Sequence, residues 1–187
     1  MRPDALTPLL SRRWSPTIFD TQHEITDEEL GLMLAAAQWA PSAGNSQPWA
    51  FIVCRRGDLN HDRFTKYLSR GNAGWVPRAG LVLVTLVQTA TEPGEDAPAY
   101  SDYAEYDVGQ AAAHITVQAV SMGLGVHQFA GFDHVAVTHE FAIPEHYKVL
   151  TGMAIGKHAS PEQVAAADPR DQEREQRARL RRPLRLF

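Results

Sequence analysis

A chain of 187 residues, 44% hydrophobic and 21% charged, has the composition of an ordinary globular protein and is long enough for one well-buried domain. Its net charge of −4 gives no general attraction to nucleic acids or acidic membranes, and a single cysteine, Cys54, excludes an intramolecular disulfide. No run approaches the ~18 apolar residues of a membrane-spanning helix, and the first residues do not resemble a signal peptide. We therefore expect a cytoplasmic protein with a single domain over residues 1–187 and no membrane partner.

Two helices are predicted near the N-terminus. The segment "ALTPLLSRRW" predicts a short amphipathic helix that ends near Arg12. A second helix begins at Thr26, which with Glu29 three residues later forms a capping-box pattern. Pro41 should end this helix at Ala40. The residues at helical spacing on its inward face are Leu30, Met33, Leu34 and Ala37.

Four strand candidates are separated by helices. The runs from Trp49 to Cys54 and from Gly80 to Val87 are almost continuously apolar, which is typical of strands covered on both faces. A short extended piece is predicted at "VHQFAGFD" and a fourth strand at "KVLTGMAIG". Strands interleaved with helices indicate an α+β or α/β domain. Cys54 lies within an apolar strand, which favours an inert core thiol over a nucleophile.

A long helix is predicted within "AYSDYAEYDVGQAAAHITVQAVSMGLG", closed by Gly123. Its small residues over 111–113 would let a second helix approach closely, either inside the core or across a subunit interface. The sequence leaves both interpretations open. The apolar face of this helix consists of Val108, Ala111, Ala112, Ile115, Ala119 and Met122.

The end of the chain is polar and basic. A helix is predicted near "DHVAVTHEFAI", and the segment "ASPEQVAAADPRDQEREQ" is predicted to be a solvated extension. Seven of the 18 basic residues are arginines in the last 18 positions. The acids between them, Asp171, Glu173 and Glu175, argue against a nucleic-acid-binding arm.

Two loops contain polar groups suited to binding. Arg12, Arg13 and Ser15 follow the first helix, where two guanidinium groups and a hydroxyl could hold a phosphate. They could equally be solvated residues that complement the helix dipole. The loop with Ser42, Asn45, Ser46 and Gln47 could contact the edge of a heteroaromatic ring, or it could be an ordinary turn.

Several common sites are excluded by pattern. The segment "GLGVHQFAG" closes a helix and opens a strand, the reverse of a dinucleotide-binding fingerprint. The histidines lack zinc-ligand spacing, and no nucleophile elbow or phosphate-binding lysine loop is present. The lack of a side-chain nucleophile or metal site indicates that an organic cofactor carries the chemistry.

Taken together, "RRWSPTIFD", "APSAGNSQPWAFIV", "GLGVHQFAGFD" and the terminal "RLRRPL" resemble the nitroreductase family of flavoproteins. The resemblance extends along essentially the whole chain, and the most specific part is Pro41, Ser42, Asn45, Gln47, Pro48 and Trp49. It implies an α+β fold with a central mixed β-sheet flanked by helices. It also implies an intertwined homodimer with FMN at the interface and a C-terminal arm (about 159–187) that reaches the partner subunit.

The resemblance further implies which residues bind FMN. Arg12, Arg13, Trp14 and Ser15 would hold the phosphate and ribityl chain, and Arg179 and Arg181 would close on the phosphate. Arg78 would supply positive charge near the pyrimidine, and a backbone N–H near Gly131 would reach N5. The loop that the partner lays along the flavin would be Pro41, Ser42, Ala43 and Asn45, and the segment facing the isoalloxazine would be Gln128, Phe129, Ala130 and Gly131.

The implied activity is ping-pong hydride transfer from NAD(P)H, through the flavin, to an electron-poor acceptor such as a nitroaromatic, quinone or enone. The alternatives are a flavin-dependent dehydrogenase or oxidase of a biosynthetic pathway, and a non-catalytic flavin-binding protein. Two residues depart from the family pattern. Thr17 replaces a common basic residue near the phosphate, and Ala130 replaces a glutamate that well-known nitroaromatic-reducing members carry beside the flavin.

Overall fold

The fold is built around a four-stranded β-sheet. A computed structural model describes residues 5–91, 101–177, 181–183 and 185. The strands are β1 (Trp49–Arg55), β2 (Leu81–Gln88), β3 (Leu124–Phe129) and β4 (Tyr147–Lys157), in the order β1-β2-β4-β3. All three pairings are antiparallel. In the described part of the chain the expected mixed sheet is therefore corrected to an antiparallel one.

Helices cover both faces of this sheet, as predicted for an α+β fold. On one face, α2 (Asp27–Gln38) and α4 (Ala104–Ser121) pack over a core that includes Leu83 and Met153. On the other face, α3 (Leu59–Thr65) and α5 (His134–Glu140) pack over a core that includes Phe64 and Val84. The remaining described helices are α1 (Pro8–Arg12), α6 (Pro161–Ala165) and α7 (Pro169–Gln176).

The prediction that two strands are covered on both faces is right for β2 and wrong for β1. Every residue of β2 from Leu81 to Val87 is buried, because β2 lies between two strands and under two helical layers. In β1 only Ile52 and Cys54 are buried. This strand lies at one end of the sheet order, where the helical layers cover it only in part. Burial raises the pKa of the Cys54 thiol to about 12, so the predicted inert thiol is confirmed.

The two long helices begin and end close to the predicted residues. The Thr26 hydroxyl accepts a hydrogen bond from the Glu29 N–H, and the Glu29 carboxylate accepts one from the Thr26 N–H. These two bonds confirm the capping box. Met33 and Ala37 are fully buried, and α2 ends at Gln38. Gly123 follows α4 with φ +78°, a backbone angle that glycine adopts without strain. Five of the six predicted core residues of α4 are buried, namely Val108, Ala111, Ala112, Ile115 and Ala119.

The segment after residue 158 is largely exposed in its described part, as predicted, but it forms two helices that were not predicted. Ser160 caps α6 and Asp168 caps α7, and Asp171 within α7 is buried. These helices are held by caps and charged hydrogen bonds instead of an apolar face, so hydropathy gave no sign of them. Whether the arm also reaches a partner subunit stays a prediction.

No helix in the described ranges combines the length and apolarity needed to cross a bilayer. The same residues contain no group of three or more His, Cys, Asp and Glu side chains placed to hold a metal ion.

Candidate functional site

The segment after α1 places two predicted phosphate ligands side by side. The chain becomes extended at Arg13, directly after the last residue of α1. The Arg13 guanidinium donates a hydrogen bond to the Ser15 hydroxyl at 3.2 Å. Both residues line a pocket of about 340 Å³, which we call the first pocket. A planar guanidinium beside a hydroxyl suits the binding of an oxyanion.

The opposite wall of the first pocket comes from β3 and α4. It includes Val126, His127 and Gln128 from the strand and Thr116 from the helix. Gln128 Nε2 donates to Thr116 Oγ1 at 3.3 Å, and the Thr116 hydroxyl donates to the Ala112 carbonyl at 2.8 Å. This chain of bonds fixes the Gln128 amide against the pocket wall.

His127 is held in one orientation at the centre of the site. Its Nδ1 lies 2.9 Å from the carbonyl oxygen of Pro16, and since that oxygen accepts, Nδ1 carries the proton. The imidazole stacks on Trp75 with ring centroids 4.3 Å apart. Burial lowers the pKa of His127, which favours the neutral imidazole at pH 7.

A second pocket of about 310 Å³ adjoins the first and shares Ser15 and His127 with it. Each pocket has a volume typical of small-molecule sites. The second pocket contributes groups from three further parts of the chain. Its other lining residues are Thr17, Asn72, Trp75, Arg174 and Arg177.

Asn72 ties the second pocket to the predicted isoalloxazine-facing segment. Its Nδ2 donates to the Gly131 carbonyl at 3.0 Å, and its Oδ1 accepts from Trp75 Nε1 at 3.2 Å. A Cβ on residue 131 would lie 2.6 Å from Asn72 Nδ2 and 2.6 Å from Ser69 Oγ, so the close approach depends on glycine. Within the described ranges the Gly131 N–H has no hydrogen-bond acceptor. One backbone donor thus remains available beside the Asn72 side chain.

The predicted partner-facing loop lies apart from these pockets. A 3₁₀ turn, Ala43–Asn45, is held by a 3.0 Å bond from the Ala43 N–H to the buried carboxylate of Asp107. The Ser42 hydroxyl accepts from the Gln47 N–H at 3.0 Å. Asn45 and Gln47 both adopt left-handed φ angles, +56° and +48°. The loop is therefore a strained turn that these hydrogen bonds fix in place. It lines neither the first nor the second pocket of its own chain.

Arg78 does not line the first or second pocket. It forms an ion pair with Asp171 of α7 and lines a third pocket of about 410 Å³. That pocket shares Trp75 and Arg174 with the second pocket. The Arg78 guanidinium, which was expected near the flavin pyrimidine, is thus paired with the Asp171 carboxylate of the same chain.

The remaining predicted residues have varied surroundings. The Trp14 ring stacks on His158 with centroids 5.6 Å apart, and Phe129 is buried with its ring against Gly152. Arg12, Ala130 and Arg181 are exposed. Arg179 lies outside the described residues, so its predicted role stays untested.

Sequence reasoning missed several residues that the fold brings to the site. These are Asn72, Trp75, His127, Arg174 and Arg177 from the pockets, and Asp107 beneath the 3₁₀ turn. The arginine excess near the C-terminus was noticed, but it did not distinguish Arg174 and Arg177 from their neighbours. Asn72 and Gly131 are 59 residues apart, and no local pattern indicates their contact.

Known proteins resemble this chain in sequence and in fold. The model of the nitroreductase family matches residues 10–73. A crystal structure described as an oxidoreductase containing FMN superposes with a TM-score of 0.83 at 30% identity, covering 91% of this chain and 84% of that one. A 15.4 kDa protein of Mycolicibacterium smegmatis, from the ask 5′ region, is 35% identical over 136 residues, 66% of this chain and 88% of that protein.

Two further relatives carry functional names. A Rhodopseudomonas palustris protein provisionally named NADH dehydrogenase/NAD(P)H nitroreductase is 25% identical over 65% of this chain and 69% of its own length. The 5,6-dimethylbenzimidazole synthase of Rhodospirillum rubrum is 28% identical over 74% of this chain and 77% of its own length. With its family-model match, its FMN-containing structural relative and its curated relatives, the chain belongs to the nitroreductase family.

Proposed function

We propose that this protein is an FMN-dependent oxidoreductase that takes hydride from NAD(P)H and gives it to an electron-poor acceptor in a ping-pong cycle. The acceptor class is a nitroaromatic, quinone or enone. The observation that supports this most directly is the placement of the Arg13–Ser15 pair in a pocket adjoining the one that Asn72 lines beside the unpaired Gly131 N–H. When bound, FMN would supply the hydride-accepting and hydride-donating chemistry.

The residues of the first and second pockets fit this cofactor. The Arg13 guanidinium and the Ser15 hydroxyl would bind its phosphate, and Arg174 and Arg177 add positive charge to the second pocket. The Gly131 N–H is a donor positioned by the Asn72 bond, and it would stabilise negative charge that develops on a ring nitrogen. A neutral His127 keeps its fixed bond to Pro16 and does not compete with the arginines for the phosphate.

The homodimer is part of the same proposal. On the outer side of α2 and α4, an apolar surface pocket of about 490 Å³ is lined by Leu32, Trp39, His114 and Val117, among others. The Trp39 side chain is 85% exposed, which is unusual for the largest apolar residue. A second copy packed on this surface would bury it, and the 41–45 loop at the end of α2 would then be available to the partner's cofactor.

The visible spectrum of the purified protein tests the cofactor, and anaerobic titration tests the donor. We expect flavin absorbance in the purified or FMN-reconstituted protein, lost on addition of NADH or NADPH and recovered when a quinone is added. A protein that neither carries FMN nor binds it on reconstitution contradicts the proposal.

A second candidate function runs in a biosynthetic direction. The 28% identity to 5,6-dimethylbenzimidazole synthase over most of that enzyme favours it, as does the replacement by Ala130 of the glutamate carried by well-known nitroaromatic-reducing members. The same titration separates the two candidates. Flavin absorbance that neither NADH nor NADPH bleaches would favour the biosynthetic enzyme.

A further inference from the structure

The third pocket is strongly basic and shares only Trp75 and Arg174 with the pockets of the proposed flavin site. Its volume is about 410 Å³, and it lies between the 70–78 segment and the first turns of α7. Four arginines and two aspartates line it, so its net formal charge is +2 at pH 7. We call it the arginine pocket, and its charged residues are Arg70, Arg78, Arg170, Arg174, Asp168 and Asp171.

The carboxylates of both aspartates already accept hydrogen bonds from groups within the protein. The buried Asp171 carboxylate pairs with Arg78 and, at 3.4 Å, with Arg174. The Asp168 carboxylate caps α7 and accepts from the Arg170 N–H at 2.9 Å. The acids therefore fix α7 and part of the arginine set, and they leave positive charge in excess.

Three guanidinium donor groups in this pocket have no acceptor. Arg78 Nε is buried and unpaired. The side chains of Arg70 and Arg170 have no hydrogen-bond or ion-pair partner within the described ranges, although both face the same pocket. Arg70, which belongs to a different segment, would be expected to bond α7 if it served only to hold that helix, and it forms no such bond; both Arg70 and Arg170 are exposed and available to a ligand.

We propose that the arginine pocket binds a phosphate monoester, and that the group it binds is the 2′-phosphate of NADPH. A phosphate monoester carries close to two negative charges at pH 7, which matches the excess charge of the pocket. Guanidinium forks bind its oxygens bidentately. This inference rests on the proposed function and makes it more specific, because it names NADPH as the preferred donor.

The position of the pocket selects this phosphate over that of FMN. Two ligands of the proposed reaction carry a phosphate monoester, and the FMN phosphate is assigned to Arg13 and Ser15 in the first pocket. The arginine pocket shares Trp75 and Arg174 with the second pocket, so the two pockets are neighbours. A dinucleotide with its nicotinamide near the Gly131 N–H would extend its adenosine end in this direction.

The test compares NADPH with NADH in an FMN-loaded double variant, Arg70→Gln with Arg170→Gln. Neither side chain has a partner to lose, so the fold should be retained. We expect the KM for NADPH to rise about 10-fold or more, since each lost charge-assisted bond weakens binding severalfold. The KM for NADH and the bound FMN should stay within about twofold of wild type. Lys66→Gln is the matched control, because Lys66 is an exposed cation outside the pocket.

Three results would overturn the inference. They are an unchanged KM for NADPH, an equal rise for NADH and NADPH, and a loss of FMN with unchanged nucleotide kinetics. The last result would assign the pocket to the flavin phosphate.

Calorimetry keeps this test separate from the proposed function. NADP⁺ should bind the wild-type holoprotein at least about 10-fold more tightly than NAD⁺ does, because only NADP⁺ carries a phosphate monoester, and the double variant should lose this difference. If wild-type protein oxidises neither nucleotide, the proposed function fails, and the calorimetric comparison still decides whether the pocket recognises the 2′-phosphate. Equal affinity for NADP⁺ and NAD⁺ would overturn the inference.

Discussion

At the scale of single residues, Asn45 combines an unfavourable backbone with an exposed amide. Its φ of +56° costs an ordinary L-residue about 1 kcal/mol, and asparagine tolerates it better than most. The side chain is exposed in its own chain, so its retention has no evident packing reason. We interpret the strained turn as one that presents the amide to the partner's flavin.

The substitution Asn45→Gly separates the backbone from the amide. Glycine keeps the left-handed turn, so the free energy of unfolding of the flavin-free protein should stay within about 0.5 kcal/mol of wild type. The dissociation constant for FMN should rise about 10-fold, because a hydrogen bond to the cofactor is lost. Fluorescence titration with FMN measures this change.

Gln47→Gly is the matched control for Asn45. The backbone of Gln47 is also left-handed, with φ +48°, and Gln47 carries an amide side chain in the same loop. The family resemblance does not place Gln47 against the flavin, so its variant should bind FMN as wild type does. Equal affinities in wild type and both variants would show that the loop is only a connector.

At the scale of elements, α7 is attached to the N-terminal segment through one carboxylate oxygen. Glu175 Oε1 accepts from the Ile18 N–H at 2.8 Å, from the Thr17 hydroxyl at 3.2 Å and from the Thr17 N–H. Three bonds to one charged oxygen are the strongest polar attachment between these parts of the chain. They hold Arg174 and Arg177 over the second pocket.

Glu175→Ala should therefore loosen α7. We expect a loss of about 1.5–3 kcal/mol in the free energy of unfolding, the range for hydrogen bonds to a charged group. The amide hydrogens of Thr17 and Ile18 should exchange faster, which hydrogen-exchange mass spectrometry or NMR would measure. Glu173→Ala removes an exposed carboxylate from the same helix and should change neither quantity. Unchanged protection of Thr17 and Ile18 in the Glu175 variant would contradict this account of the attachment.

Elements with a long apolar pattern were predictable, and the short polar helices α6 and α7 were not, although both carry caps. The capping box at Thr26 and Glu29 and the continuous apolar run of β2 gave their positions nearly to the residue. The helix α7 has no apolar stripe, and its stability depends on Asp171 and Glu175 bonding to distant segments. Such bonds exist only after the sheet has formed, so a local reading of the sequence assigned this region to solvent.

At the scale of the whole molecule, the candidate site was predictable where its residues lie close together in the chain. Arg13 and Ser15 are two positions apart, and the structure places both with Gln128 in the first pocket. His127 was missed because it stacks on Trp75, which is distant in the chain, and Asn72 was missed because its bond to Gly131 joins two distant segments. Arg78 was assigned from its position before β2, and its partner Asp171 lies 93 residues later.

The oligomeric state can be tested at the exposed apolar surface of α2 and α4. Leu32 is 46% exposed and lines that surface beside Trp39. Leu32→Glu would place a charge in the proposed interface, where burying it unpaired is strongly unfavourable. We expect sedimentation velocity to show a dimeric wild type and a monomeric variant that retains less FMN.

Leu59→Glu serves as the control for the interface. Leu59 is 73% exposed at the start of α3, on the other face of the sheet, and its variant should stay dimeric. A monomeric wild type, or a Leu32 variant that remains dimeric, would contradict the proposed interface.

Arg174 lines both the second pocket and the arginine pocket, so anionic ligands in the two pockets would compete for hydrogen bonds from its guanidinium. Its bond to Asp171 limits how far it can turn toward either pocket. If both pockets bind as proposed, occupation of one would alter the free energy of binding in the other, and thermodynamic linkage would make the effect equal in both directions. A single side chain in the last turn of α7 would thus couple cofactor retention to the departure of the spent nucleotide.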